Sequence, residues 1–262
     1  MSLLNHAFDP ILLSRVEDAG LNASAPPQQR WLDGWLVRTS PGKARRARCI
    51  NAVAPGRLPL DVKLNLAAAV FAEAQLPMVL RITRFTQPAD LDARLAERGF
   101  TTLDDTRVMV CERLPAADPE APPAGTQWAR LDAEAYADAV GAVRGSPPEQ
   151  RLAHAERLRL SPVRCEGHAL RDADARVLAC GQFAREAELV GLYDVFTRQD
   201  QRGRGLAGLV CRRLLALAAA QGASVGYLQV EVDNHAARRI YQRLGFADAY
   251  AYHYRLAPGV AV

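Results

Sequence analysis

Residues 188–222 constrain this chain more than any other stretch. The run ELVGLYDVFT (Glu188–Thr197) is apolar enough for a central strand. RQDQRGRG (Arg198–Gly205) is polar and dense in glycine, and the apolar segment from Leu206 reads as a helix to Gln221, closed by Gly222. A strand feeding a glycine loop and then a helix turns main-chain N–H groups inward, and the helix start adds about half a positive charge. Such a nest binds phosphate without a lysine, and its glycines let the backbone approach the anion closely.

Three phosphate motifs compete for this loop. A P-loop needs Gly-x-x-x-x-Gly-Lys-Ser/Thr, and the loop has no lysine. A dinucleotide fingerprint is met literally by Gly203, Gly205 and Gly208, but five residues (Arg198–Arg202) separate its first glycine from the strand. The acidic residue wanted about twenty positions on has only the later Glu231 as a candidate. The third pattern, Arg-x-x-Gly-x-Ala, is met by Arg202, Gly205 and Ala207.

Composition narrows the classes. At about 150 residues per domain, 262 residues allow one large domain or two small ones. Hydrophobic residues at 49% and charged residues at 24% describe a globular chain and argue against disorder. Thirty-three Lys+Arg against 29 Asp+Glu give +4, too balanced to call for a nucleic-acid partner. No stretch approaches the ~20 uncharged apolar residues of a membrane span, and Met1–Pro10 lacks the basic and apolar regions of a secretory signal. The five cysteines (Cys49, Cys111, Cys165, Cys180, Cys211) contain no Cys-x-x-Cys, so neither a disulfide framework nor a zinc site is expected. They read as small buried hydrophobes in a reducing cytoplasm. His154, His168, His235 and His253 show no metal-ligand spacing, and His6 falls in an expected N-terminal helix; all five read as structural or surface residues, and no metal is predicted.

Leu114–Gly125, LPAADPEAPPAG, holds four prolines and a glycine without apolar periodicity. It divides the chain into residues 1–115, a linker 116–125, and residues 126–262. After it, the pattern predicts a strand at Thr126–Arg130, a helix capped by Asp132, and a second helix opening at Pro147. Two strands then flank Asp172-Ala173-Asp174. Beyond Gly222 come a strand at Val225–Val232, a helix to Arg243 ending at Gly245, and an aromatic strand in which Tyr250, Tyr252 and Tyr254 share a face. The first half ends in the same order: helix 60–75, strand 78–83, helix 89–98, Gly99-Phe100 and strand 107–111. An offset of 146 lays Gly99-Phe100 on Gly245-Phe246 and Gln75 on Gln221, which predicts a duplicated fold.

Downstream, VEVDNHAARRIYQRLGF supplies a strand, then Asn234, then a helix holding Tyr241, then Leu244-Gly245-Phe246. With the Arg202–Ala207 pattern, this resembles the GCN5-related N-acetyltransferases (GNAT) over the whole C-terminal part. The resemblance implies an α/β (α+β) chain of two tandem acyl-CoA N-acyltransferase folds. Each would be a mixed, mostly antiparallel sheet with a splayed parallel strand pair, flanked by helices. It implies acetyl-CoA between Glu188–Thr197 and Val225–Val232. The backbone of Val195, Phe196 and Thr197 would pair with the pantetheine amides. The loop Arg202, Gly203, Arg204, Gly205, Leu206, Ala207 and Gly208 would hold the diphosphate, and Asn234 the pantetheine arm. An N–H beside Val195 or Phe196 would stabilise the oxyanion. The Tyr241 phenol would lie near the sulfur as general acid, although packing on the sheet suits it too. Helix capping suits Asn234 as well, and the two roles are compatible.

The resemblance places a base, in some relatives, at the position of Gly191 here. Asp194 should face away from Tyr193 and Val195 by strand alternation, and Glu186, Glu188 and Glu231 are alternatives of similar weight. The offset puts Pro59 on Gly205, Pro88 on Asn234 and Leu95 on Tyr241. Proline offers no N–H and leucine no proton, so the N-terminal copy reads as degenerate. The basic run Lys43–Arg48 reads first as a solvated strand face or hairpin arm, with attraction of an acidic substrate or of the coenzyme A 3′-phosphate as the alternative. The expected activity is acetyl transfer to a small-molecule or peptide amine in the cytoplasm, with no nucleic acid or membrane partner and a monomer or homodimer left open. A non-catalytic acyl-CoA-binding or sensing module is the second reading. A nicotinamide-binding oxidoreductase is the third, held only by the literal glycine match.

Overall fold

The computed structural model describes residues 8–116 and 118–259, so His6 lies outside the described residues. In chain order the first half holds helix α1 (Pro10–Ala23), strands β1 (Gln29–Leu32), β2 (Trp35–Arg38) and β3 (Ile50–Ala52), helix α2 (Leu60–Glu73), strand β4 (Val79–Thr83), helix α3 (Leu91–Ala96) and strand β5 (Thr101–Cys111). The second holds β6 (Thr126–Leu131), α4 (Ala133–Arg144), α5 (Pro148–Arg159), β7 (Arg164–Asp172), β8 (Val177–Glu186), β9 (Leu189–Thr197), α6 (Leu206–Ala220), β10 (Val225–Glu231), α7 (His235–Arg243) and β11 (Ala247–Leu256). Local chemistry sets several boundaries. The Asp132 carboxylate accepts from the Ala135 amide at 2.8 Å and opens α4, while Gly222, at φ 97°, takes the left-handed turn after α6.

Alternation along the strands sorts the core onto two faces. Val190, Leu192, Leu228 and Val230 pack against Leu209, Val210 and Leu214 of α6. Leu189, Tyr193 and Tyr227 turn to the other face, beneath Leu13, Val16 and Ala19 of α1. Leu80 and Ile82 meet Leu64, Ala67 and Phe71 of α2, while Val79 belongs with α1. Helices α2 and α6 therefore share one face and α1 takes the opposite one. Each buried Leu or Val side chain contributes about 1.5–3 kcal/mol. No helix among the described residues is long and apolar enough to cross a membrane.

The sequence predicts two sheets. The structure has one sheet of eleven strands, in the order β1-β2-β3-β4-β11-β5-β10-β9-β8-β7-β6. The closing strands are crossed. Strand β5 runs antiparallel to β10 from Thr106↔Glu231 to Cys111↔Gly226, and β11 runs antiparallel to β4 from Thr83↔Tyr252 to Val79↔Leu256. Each half thus contributes its last strand to the other half's sheet, and β5 and β11 also pair with each other. The exchange leaves no open strand edge in the middle of the molecule. The offset of 146 survives in the element starts: Leu60 and Leu206, Val79 and Val225, Thr101 and Ala247.

Strands β9 and β10 are parallel and pair only from Leu189↔Val225 to Leu192↔Leu228. Beyond that they part. The outer side of β9 stays bonded to β8 as far as Thr197↔Ala179, and the outer side of β10 stays bonded to β5 as far as Glu231↔Thr106. The cleft between Tyr193–Thr197 and Gln229–Glu231 is thus held open from both sides. In the first half, β3 and β4 pair at Ile50↔Leu80 and Asn51↔Arg81. There the Gln87 amide reaches back to the Ala52 carbonyl at 2.8 Å and draws the strand ends together.

Candidate active site

Past Thr197 the chain makes a single 3-10 turn, Gln199–Gln201, and enters the glycine loop. Gly203 and Gly205 sit at φ 78° and 76°, and a Cβ at either would meet nothing within 4 Å. Backbone conformation, not space, demands glycine there. Gly205 caps α6 without any side-chain bond, and the first intrahelical bond runs from the Leu209 amide to the Gly205 carbonyl at 3.1 Å. The amides of Leu206, Ala207 and Gly208 are therefore unused at the positive end of a 15-residue helix. Arg202 lies over the Phe196 ring at 5.8 Å, tying the loop to the strand end, and Arg204 donates to the Gln201 side chain. The Thr197 hydroxyl is buried without a partner at the cleft.

The matching loop of the first half differs in one decisive respect. Arg57, Leu58 and Pro59 stand 146 positions before Gly203, Arg204 and Gly205. Here the Asp33 carboxylate accepts from the Arg57 amide at 2.8 and 2.9 Å and from the Leu58 amide at 2.9 Å, with Lys63 Nζ at 3.4 Å. Those two amides, then Lys63, hold the Asp33 carboxyl below its ordinary range against the upward pull of burial. A Cβ on Gly56 would fall 2.1 Å from Asp33 Oδ2. The first-half amides thus already hold an anion belonging to the chain. Proline at residue 59 removes one amide from this loop, but nothing near it in sequence points to Asp33.

Asp194 interrupts β9. Its φ is 50°, and the β8–β9 register shifts between Cys180↔Phe196 and Gln182↔Tyr193. This bulge overturns the expected alternation: Tyr193 packs on the α1 face and Val195 on the α6 face. The Asp194 carboxylate accepts from Arg144 at 2.5 Å and Gln182 Nε2 at 2.8 Å and lies 3.3 Å from His154 Nε2, while its carbonyl accepts from the Tyr136 hydroxyl at 3.2 Å. Burial pushes its pKa up, but Arg144, His154 and Arg157 outweigh that and hold it well below the carboxylate range. Asp194 therefore orders the bulge and is a poor proton acceptor. Asp194→Asn should cost about 3 kcal/mol near neutral pH, because it leaves Arg144 without its counter-charge. Since the folded carboxyl is depressed, its stabilisation is complete above about pH 4 and is lost as pH falls below that. Urea unfolding at pH 7 and pH 3 checks this; an equal deficit at both would contradict it.

The other base candidates fare differently. A Cβ on Gly191 would meet Tyr227 Cζ at 2.5 Å and Tyr193 Cε2 at 2.6 Å, so the space of a glutamate there is filled by two tyrosines whose hydroxyls bond at 3.0 Å. Glu188 pairs with Arg15 and Glu186 accepts from Asn22 Nδ2 at 3.0 Å, both at the far end of β9 from Thr197. Glu231 stands exposed at the open end of β10. Among the described residues no cluster of His, Cys, Asp or Glu is suited to hold a metal.

Helix α7 carries the remaining predicted residues. Asn234 Oδ1 accepts from the Ala237 amide at 3.1 Å and caps the helix, leaving its Nδ2 unused among the described residues. A Cβ on Gly208 would lie 3.7 Å from Ile240 Cγ2, so α7 runs beside the start of α6. Tyr241 packs on the α6 core and edge-on to Phe246 at 6.3 Å. Burial, then the Cys211 side chain, pushes its pKa up, and its hydroxyl has no hydrogen-bond partner among the described residues. The phenol is protonated at neutral pH and available to donate.

Several residues read as bland from sequence converge here. Instead of forming a solvated arm, the run Lys43–Arg48 crosses to the second half. Arg46 lies over the Tyr193 ring at 5.7 Å and 3.5 Å from the Tyr252 hydroxyl, which donates to Gln229 at 2.9 Å. Arg45 pairs with Asp104 at 2.7 Å and covers Tyr254 at 5.6 Å. His154, with Asp194, lines a cavity between this arm and helices α4 and α5. Two features of the sequence point this way: the basic run as an attractor of an acidic substrate, and the shared face of Tyr250, Tyr252 and Tyr254.

A family model described as probable histone acetyltransferase Rv0428c C-terminal matches residues 13–255. The chain belongs to this family. It is similar to the uncharacterized N-acetyltransferase YobR of Bacillus subtilis (strain 168), 24% identical over 231 residues, 87% of this chain and 92% of the relative. Among solved structures it resembles a GCN5-related N-acetyltransferase from Kribbella flavida, at 20% identity and TM-score 0.67, covering 94% of this chain and 96% of that one. It also resembles a tandem GNAT protein from the clavulanic acid biosynthesis pathway, at 15% identity and TM-score 0.57, covering 79% and 73%. The protein is thus an N-acetyltransferase of GNAT type, with a mixed α/β GNAT fold built on one large sheet.

Proposed function

We propose that this acetyltransferase moves the acetyl group of acetyl-CoA directly to a primary amine in a ternary complex. The observation that carries this reading is the contrast between the two glycine-loop positions: among the described residues the Gly203–Gly208 amides have no side-chain anion on them, whereas those at Arg57 and Leu58 hold Asp33. The residues around the open loop fit the diphosphate of coenzyme A, with the Arg202 and Arg204 side chains beside it. The free edges of Val195, Phe196 and Thr197 suit the pantetheine amides, and Asn234 Nδ2 is available to the same arm. A main-chain N–H at the Asp194–Val195 bulge supplies the oxyanion donor.

The amine nitrogen forms a bond to the thioester carbonyl carbon as the carbon–sulfur bond breaks. Tyr241 gives its proton to the leaving sulfur, and the ammonium proton leaves through water. The halves 1–115 and 126–262 are tandem GNAT-type units with exchanged closing strands. The first is degenerate as an acetyl-CoA site and serves as a wall for the second. We assign the protein to the cytoplasm, with a small-molecule or peptide amine as acceptor and no nucleic acid or membrane partner.

One observation favours the sensing-module reading: Asp194 is engaged and the Gly191 position is filled, which leaves the exposed Glu231 at the open end of β10 as the one unengaged base candidate among the described residues. Release of free CoA across a panel of amines separates the two. Acceptor-dependent release is expected. Tight acetyl-CoA binding with no release on any amine would replace the enzyme by the sensor.

A further inference from the structure

We propose that the acceptor amine carries an anionic group, read by Arg46 and by the arginines of the cavity between the Ser40–Ala47 arm and helices α4 and α5. This rests on the C-terminal cleft being the acetyl-transfer site.

The cavity is lined by Lys43, Arg144, Arg151, His154, Arg157 and Asp194, among others. It adjoins the open end of β9, because Asp194, which follows Tyr193 on that strand, is part of its lining. Its charges do not balance. The Asp194 carboxylate is taken by Arg144. Among the described residues Arg157 donates to the Ala23 carbonyl at 3.0 Å and feels Asp194 through its charge alone, and Arg151 donates to the Ser146 carbonyl at 2.8 Å. Neither these two nor Lys43 has a carboxylate partner among the described residues.

Arg46 adds an independent observation. It stacks over Tyr193, and its Nε is buried without a hydrogen-bond partner. Among the described residues the one hydrogen-bond contact of its guanidinium is the 3.5 Å approach to the Tyr252 hydroxyl. A guanidinium nitrogen buried without a partner is costly, and the planar fork that carries it matches a carboxylate or phosphate group. Tyr252 in turn donates to Gln229, the first β10 residue beyond the paired stretch. An anion on Arg46 would therefore sit where the two strands part. The arm comes from the first half, which gives that half a part in choosing the acceptor.

An acceptor bearing only positive charge would meet a net like charge in this cavity, whose one lining carboxylate, Asp194, is already bonded to Arg144. A lysine-rich tail is such an acceptor. An amine with its own carboxylate or phosphate would be drawn in by that group and held with its nitrogen toward the cleft.

The test uses the full chain loaded with coenzyme A, which has no acetyl group to transfer, so that the amine forms a stable ternary complex. Calorimetry compares glutamate with glutaminamide, phosphoethanolamine with ethanolamine, and a lysine-rich peptide with all four. The expected result is that at least one anionic amine binds about 10-fold or more tightly than its neutral partner. Which pair shows it tells carboxylate from phosphate. Arg46→Gln should erase most of that preference while coenzyme A affinity stays within about two-fold, and Arg151→Gln, on a partly exposed side chain, serves if the first variant does not fold. Equal binding within both pairs, tighter binding of the peptide, no amine binding at all, or a preference untouched by the variant would overturn the proposal. Failure of coenzyme A itself to bind would instead remove the acetyl-transfer reading on which it rests.

Discussion

Gly205→Pro is expected to weaken acetyl-CoA binding by about 100-fold or more. The position is held at φ 76° and caps a 15-residue helix whose first amides are unused. Proline fixes φ near −65° and carries no N–H, so the loop would lose one donor and turn its neighbours away from their common focus. Two charge-assisted hydrogen bonds at about 1.5–3 kcal/mol each are enough for the stated factor. No Cβ clash accompanies the change, since the space is open. Gly205→Ala is the milder companion: the left-handed conformation costs alanine about 1–2 kcal/mol, so binding should weaken less. Titration calorimetry reads both, and undiminished affinity in the proline variant would remove the loop from the cofactor site.

Tyr241→Phe is expected to lower kcat by about 100-fold while leaving acetyl-CoA affinity nearly unchanged. The structure makes this a clean change. The ring packs on the α6 core, which phenylalanine preserves, and the hydroxyl has no protein partner among the described residues to lose. Stability should therefore stay within about 0.5 kcal/mol. Burial keeps the phenol protonated throughout the neutral range, as a general acid requires. An unchanged kcat would reduce Tyr241 to a packing residue.

Much of the second half is legible in its sequence because its signals are local. Asp132 and Asn234 sit three residues before the amides they cap, and Gly222 follows the last apolar turn of α6. The strands ELVGLYDVFT and the run from Val225 are legible as apolar runs flanking a helix, whereas their parallel pairing is what the resemblance implies. What escapes is set by contacts between distant residues. The edges of β5 and β11 offer the same main-chain groups to either half, so no pattern within them tells which neighbour they will join. The bulge at Asp194 depends on Arg144, Gln182 and His154, 50, 12 and 40 positions away. The plug at Asp33 lies on the β1–β2 turn, 24 residues before the amide it binds. The arm with Arg46 reads as solvated because composition cannot reveal that Tyr193 and Tyr252 lie beneath it.

A crystal structure of the full chain grown with coenzyme A tests the central claim most directly. The account predicts one ligand per chain, its diphosphate on the amides between Gly203 and Gly208, with Asp33 still seated on Arg57 and Leu58. A diphosphate bound at the first-half loop, or anywhere away from the start of α6, would contradict it.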